Sequence, residues 1–180
     1  MSARMIGALV MSQLDFHIEQ KIAQRDSIDL AARRLAGRPG WIVEFGLGRG
    51  RSYSHLVARF PDREIYCFDR EHATNPGWGP PAERVVLGDL ATVLADPAVQ
   101  ARFRGRVILA HLDLAWGDSP DTRLHRLVLD QTRSWLLPGA WLLSDRAVPL
   151  EPSWGLVPLP ASDEVGHAHR FHRYERRPAP

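Results

Sequence analysis

The sequence predicts an α/β fold: a three-layer αβα arrangement around a doubly wound seven-stranded sheet, mostly parallel, with an antiparallel C-terminal hairpin. Three observations predict it. Apolar runs of strand length alternate with helical segments through most of the chain, the pattern of parallel strands joined by crossover helices. Most of those runs are apolar through their length, as strands covered on both faces must be. The last two segments, "SWGLVPLP" and "AHRFHRYERR", read as a pair of antiparallel strands at one edge. A chain of 180 residues fits one domain with a sizeable core.

In chain order, residues 1–36 form an N-terminal helical region, helical from about 12, whose "DSIDLAARRLAG" ends on the stop signal Gly37. "WIVEF" is the first strand, and "SYSHLVARF" is a helix closed by Pro61. "EIYCF" and "RVVL" are the second and third strands. "LATVLADPAVQARF" is helical with a break before Pro97, and "RVILAHLDL" is the fourth strand. "SPDTRLHRLVLDQTRSWL" is an amphipathic helix that places Leu124, Leu127, Val128 and Trp135 on one side. "PGAWLLSD" is the fifth strand.

Composition narrows the function classes. Hydrophobic residues make up 44% and charged residues 24%, with a net charge of +2, an ordinary globular balance without the clustered basic face of a nucleic-acid binder. Lys21 is the only lysine, which reads as compositional bias toward arginine. Cys67 is the only cysteine, so no intramolecular disulfide forms and a reducing compartment is expected. "MIGALVM" is too short for a membrane span and lacks a small-residue cleavage site, so no membrane association and a cytoplasmic location are expected.

Ligands of such sheets sit at the carboxyl ends of the strands. The acids there are Glu44, Asp69, Asp89, Asp113 and Asp145. The loop "EFGLGRGRSYSHL" follows a strand and opens a helix, and Gly46, Gly48 and Gly50 allow a tight turn and close approach of a ligand. The dinucleotide spacing would need glycine where Arg51 stands, and no "GK[ST]" follows, so neither a dinucleotide fingerprint nor a P-loop is present. Glu44 would repel a pyrophosphate and attract a cation. The chemistry is that of a nucleoside with a positively charged tail, such as S-adenosylmethionine.

On "VEFGLGRG", "EIYCFDR", "RVVLGDL" and "LPGAWLLSD", taken in order, the sequence resembles the class I S-adenosylmethionine-dependent methyltransferases over about residues 27–175. The resemblance implies the Rossmann-like sheet of that family. It also implies cofactor binding by Glu44 at the methionine amino group, by Gly46, Gly48, Gly50 and Arg51, and by Ser52 and Tyr53 at the carboxylate end. Asp69 would take the ribose hydroxyls, and Gly88, Asp89 and Leu90 the adenine. Arg70 replaces an apolar residue of the family and either stacks on the base or points to solvent. Trp78 either closes over adenine or anchors its loop. The plain alternatives are a tight turn for the glycines, a solvated strand end for Asp69 and a helix cap for Asp89.

At the reacting end stand His111, Asp113, Asp118, Asp145 and Arg146. Asp113 is the candidate catalytic residue, as base or substrate orienter. Asp113 and Asp145 match positions that hold magnesium in the catechol-type and sugar O-methyltransferase branches. Arg146 stands where those branches carry Asn or Asp, and a guanidinium offers a cation nothing. No metal is assigned; Arg146 pairs with one of the two acids or receives an anionic substrate. "HAHRFH" reads as a solvated edge strand. The absent Asp-or-Asn, Pro, Pro, aromatic pattern, and a lysine far from this region, argue against nucleic acid as the substrate. The reading is a methyltransferase for a small molecule, acting at oxygen, in a possible homo-oligomer. The amphipathic "LDFHIEQKIAQ" would cover the cofactor or a partner chain. The alternatives are a non-catalytic S-adenosylmethionine or S-adenosylhomocysteine binding protein, and a nicotinamide-dependent oxidoreductase.

Overall fold

Apolar five- and six-residue runs build the centre of the sheet. The computed structural model describes residues 11–114 and 122–177. Trp41–Phe45 (β1), Ile65–Asp69 (β2), Val85–Leu87 (β3), Val107–Leu112 (β4) and Leu136–Ser144 (β5) run parallel. Leu156–Pro158 (β6) and His172–Arg176 (β7) are antiparallel, and the order across the sheet is β3-β2-β1-β4-β5-β7-β6. The predicted seven strands and terminal hairpin are all present. The order reverses between β1 and β4, which opens a crevice above their carboxyl ends.

The helices fall into two groups. Gln13–Arg34 (α1) packs on Arg51–Arg59 (α2), while Leu90–Ala95 (α3) packs on Pro97–Phe103 (α4) and Arg123–Thr132 (α5). The period-2 alternation of β1 separates the two faces. Phe45 and Phe68 lie on the α4 face, where Phe103 stacks on Trp135 at 4.7 Å and Phe45 on Phe68 at 5.0 Å. Glu44 lies on the opposite face, toward α1. Ser12 and Asp15 close a capping box at the start of α1, and Gly37, at φ +74°, follows its end as expected.

Three local expectations fail for tertiary reasons. Trp135 is not on α5: the helix ends at Thr132, and Trp135 leads into β5 with its indole in the aromatic stack and Nε1 donating to Gln100 at 2.9 Å. The buried face of α5 is His125, Val128, Leu129 and Thr132, while Leu124 is exposed. Residues before Thr122 in that predicted helix lie outside those described, as does the apolar stretch from Met5 to Val10. "HAHRFH" is not an edge strand either. Ala168–Arg170 is a 3-10 turn, β7 lies between β5 and β6, and β6 takes the edge. Among the described residues no helix is long and apolar enough to cross a membrane.

Candidate functional site

The three glycines answer to three different constraints. Gly46, at φ +91°, sits where the exits of β1 and β4 touch, and a Cβ there would overlap the Asp113 carbonyl oxygen. Gly50, at φ +79°, precedes α2, and its Cβ would stand 2.6 Å from the Trp78 carbonyl oxygen. Gly48 is exposed at φ +49° with nothing within 4 Å of a Cβ, and it alone of the three presents open backbone to a ligand.

Asp69 ends β2 beside that open backbone. Its Oδ2 accepts from Gly48 N at 2.9 Å and its Oδ1 from Arg70 N at 2.6 Å, so the carboxylate ties the glycine loop to the second strand. The Arg70 residue itself is exposed. Asp89 adopts the capping alternative, with Oδ1 accepting from Ala91 N and Thr92 N at the start of α3. Gly88 lets that turn form at φ +145°, and Leu90 is buried behind it. Arg51 opens α2 and is exposed, Ser52 is half-buried, and Tyr53 is buried, which raises its phenol pKa. Trp78 is exposed beside a small cavity of about 220 Å³ that it shares with Gly50, Arg51 and Asn75.

Glu44 has no exposed surface. The expected partner was a ligand cation; the partners found are His111 Nδ1 at 3.2 Å from Oε1 and the Cys67 thiol at 3.6 Å from Oε2. Burial, and then the Glu44 carboxylate, push the Cys67 thiol well above its ordinary pKa, so it remains a protonated donor. The chain of contacts continues into α1. Gln24 Nε2 lies 3.0 Å from His111 Nε2 and 2.9 Å from Asp113 Oδ2, and Lys21 Nζ reaches Gln24 Oε1 at 2.8 Å and Asp113 Oδ2 at 3.2 Å. One proton assignment satisfies every link: lysine and amide donate to Asp113, the amide donates to His111 Nε2, and His111 Nδ1–H donates to Glu44.

Asp113 therefore differs from a poised base. Burial raises its pKa, but the Lys21 ammonium, the neighbouring His111 and the hydrogen bonds from Gln24 and Lys21 together outweigh burial and lower it. Arg146, one proposed partner, is not what engages it. Asp145 is buried and sits 2.6 Å from His125 Nε2. Asp118 lies outside the described residues. Among the described residues, no three His, Cys, Asp or Glu side chains gather closely enough to hold a metal ion.

Sequence reasoning missed Lys21 and Gln24. The lysine counted as distant, yet α1 carries it onto Asp113 across 92 positions. One signal was available. Gln24 is a polar residue on the face that α1 buries with Ala23, Ile28 and Ala31, and Lys21 stands one turn before it. A larger cavity, of about 510 Å³, lies at the β5, β7 and β6 end of the sheet, in the size range of small-molecule sites.

Residues 11–176 match the profile of a family described as S-adenosyl-L-methionine methyltransferase. Among solved structures, the chain is similar to an S-adenosyl-L-methionine methyl transferase from Silicibacter pomeroyi DSS-3, with 33% identity and a TM-score of 0.82 over 93% of this chain and 99% of that one. The antibiotic-resistance methyltransferase Kmr shares the fold at 14% identity, with a TM-score of 0.52 over 97% of both chains. No curated protein sequence matches the chain. With the family profile covering nearly all described residues and the glycine loop, Asp69 and Asp89 on adjoining strand ends, the chain belongs to the S-adenosyl-L-methionine methyltransferases and is an enzyme of that class.

Proposed function

We propose that the methyl acceptor is a small molecule, methylated at oxygen, and that α1 forms the roof of its site. The observation that carries this reading is the Lys21–Asp113 pair, 3.2 Å apart at the carboxyl end of β4, with the lysine half-exposed. An ammonium at that point stabilises an oxygen acceptor as it loses its proton and disfavours a protonated amine. The nearby cavity of about 510 Å³ has the size of a small molecule.

S-adenosylmethionine fits the residues present. Gly48 leaves open backbone in the loop, the Asp69 carboxylate beside it suits a ribose diol, and Asp89 retains Oδ2 opposite its capping oxygen for the adenine amino group. Gly88 and Leu90 shape that turn. Gly46 and Gly50 hold the loop in place, and the first turn of α2, with Arg51, Ser52 and Tyr53, offers backbone N–H groups to a carboxylate. Glu44 acts from beneath the loop, as a buried hydrogen-bond partner that orients His111. When bound, the cofactor supplies an electrophilic methyl group on a sulfonium. Asp113, with its pKa held down, would orient the acceptor, whose proton would leave to solvent, and Lys21 would stabilise the resulting oxyanion as its oxygen takes the methyl group and S-adenosylhomocysteine departs.

Two experiments test this. Saturating S-adenosylhomocysteine at about 100 times its dissociation constant should stabilise the wild type by roughly 2.7 kcal/mol, and Asp69→Ala should lose most of that gain. A full shift retained in Asp69→Ala would remove the ribose assignment. Lys21→Met should lower methyl transfer to hydroxylated or carboxylated acceptors about a hundredfold without weakening S-adenosylhomocysteine binding. The same variant should alter acid stability. Asp113, with a folded pKa below its unfolded value, contributes stability above the unfolded pKa and loses it as pH falls through the folded one. Without Lys21 that loss begins at higher pH. Unchanged turnover in Lys21→Met sinks the proposed role.

A further inference from the structure

The register of the sheet places a buried arginine on the same row as the Glu44 and His111 pair. Glu44 pairs with His111, His111 with Leu143, and Leu143 with Arg173, so these four residues lie side by side across β1, β4, β5 and β7. Register partners project to the same face, here the face that α1 covers. Arg173 is therefore on the acceptor side of the crevice, two strand spacings, about 10 Å, from His111.

Arg173 lines the cavity of about 510 Å³, together with Val148, Leu150, Leu159 and Phe171. Phe171 also stacks on the His111 ring, with centroids 5.9 Å apart, so the cavity and the His111–Asp113 network share a wall. The arginine is 5% exposed. Its Nη2 donates to the Pro160 carbonyl oxygen at 3.3 Å, and its Nη1 is buried without an acceptor among the described residues. No carboxylate among the described residues forms an ion pair with it. Burial alone moves its pKa, downward, with no acidic neighbour offsetting the shift. A guanidinium remains charged under such a shift, and a buried charge with an orphaned donor is costly unless something completes it.

We propose that Arg173 anchors the acceptor, and that the acceptor is a small apolar carboxylate whose acid group completes the guanidinium while its body fills the cavity and its reacting oxygen reaches toward Asp113. A planar carboxylate matches the fork of a guanidinium. Val148, Leu150, Leu159 and Phe171 suit a hydrocarbon body, with His169 and His172 completing the lining, and a cavity of about 510 Å³ takes a molecule with one ring or a short chain between its two oxygen groups. This inference rests on the methyltransferase reading and names the substrate class for that same site.

The test is calorimetric titration of the full chain with benzoate, para-hydroxybenzoate and para-hydroxyphenylacetate, each against its neutral amide. Titrations are run with and without saturating S-adenosylhomocysteine, so a failure of cofactor binding is read separately from a failure of the anchor. At least one acid should bind about tenfold or more tighter than its amide. Arg173→Met should erase that preference and leave the thermal midpoint of the ligand-free chain equal or higher, because it removes an uncompensated buried cation. Arg173→Lys, which retains the charge, should keep part of the preference. If Arg173→Met fails to fold, Arg173→Gln decides, since it removes the charge and keeps a polar side chain: a preference that survives there overturns the anchor. Equal binding of acid and amide, no binding of any acid, or a preference that survives in Arg173→Met overturns it as well.

Discussion

Gly46→Ala is expected to destabilise the protein by about 4 kcal/mol or more, among the largest effects a single methyl group can have. Two costs add. The residue lies at φ +91°, a conformation that strains any L side chain by about 1–3 kcal/mol. The new Cβ would also overlap the backbone carbonyl oxygen of Asp113. That oxygen belongs to a strand exit fixed by the hydrogen bond from Asp113 N to Phe45 O at 3.0 Å, and Gly46 N is itself bonded to Phe68 O at 2.9 Å. Neither side can yield without breaking pairing between the central strands. Gly48→Ala is the control: its φ is +49° and the space around it is open, so it should cost only about 1–2 kcal/mol, the ordinary penalty of a left-handed alanine. Urea denaturation of the two variants measures the difference. Equal costs would mean that the loop, and not the close approach of β1 and β4, sets the need for glycine at position 46.

Glu44→Ala is expected to cost about 3 kcal/mol of stability in the absence of any ligand, from the orphaned His111 Nδ1–H donor together with the cavity left behind. Glu44→Gln preserves the volume and an acceptor for His111, so its cost should be about 1 kcal/mol. The comparison distinguishes two roles. A carboxylate that served only a bound cation would be indifferent to removal in the ligand-free chain. One that holds His111 at 3.2 Å, and through it Gln24 and the roof helix, would not. Chemical denaturation of the ligand-free variants decides it: a loss below about 1 kcal/mol for Glu44→Ala would discard the structural role.

Much of the architecture was legible because its signals are local. Strands β1, β2 and β4 are largely apolar, with Glu44 and His111 as the polar exceptions inside β1 and β4, and each is buried from end to end but for Trp41 and Asp69 at the ends. The break before Pro97 is a cap with Asp96 accepting from Ala98 N at 2.7 Å. The glycine loop was readable as a loop, since left-handed backbone selects glycine whatever surrounds it. The assignment of α5 failed because helical periodicity cannot say where the helix ends. Trp135 continued the apolar pattern, but its ring is claimed by Phe103 and Phe45. Likewise His125 was not read as a core residue, although it lies buried against Asp145 at 2.6 Å.

The sequence by itself determined the order of strands and helices, the left-handed turn after β1 and the acids at the strand ends, because backbone conformation and hydrophobic period depend on neighbours a few positions away. Only the tertiary structure decided what those acids do. It turned Glu44 inward to His111, lowered the pKa of Asp113 with a lysine from the first helix, and left Arg173 buried with no carboxylate partner among the described residues. Each of these depends on residues tens of positions apart meeting in a space of low dielectric, where a partner's presence or absence sets the energy of a charge.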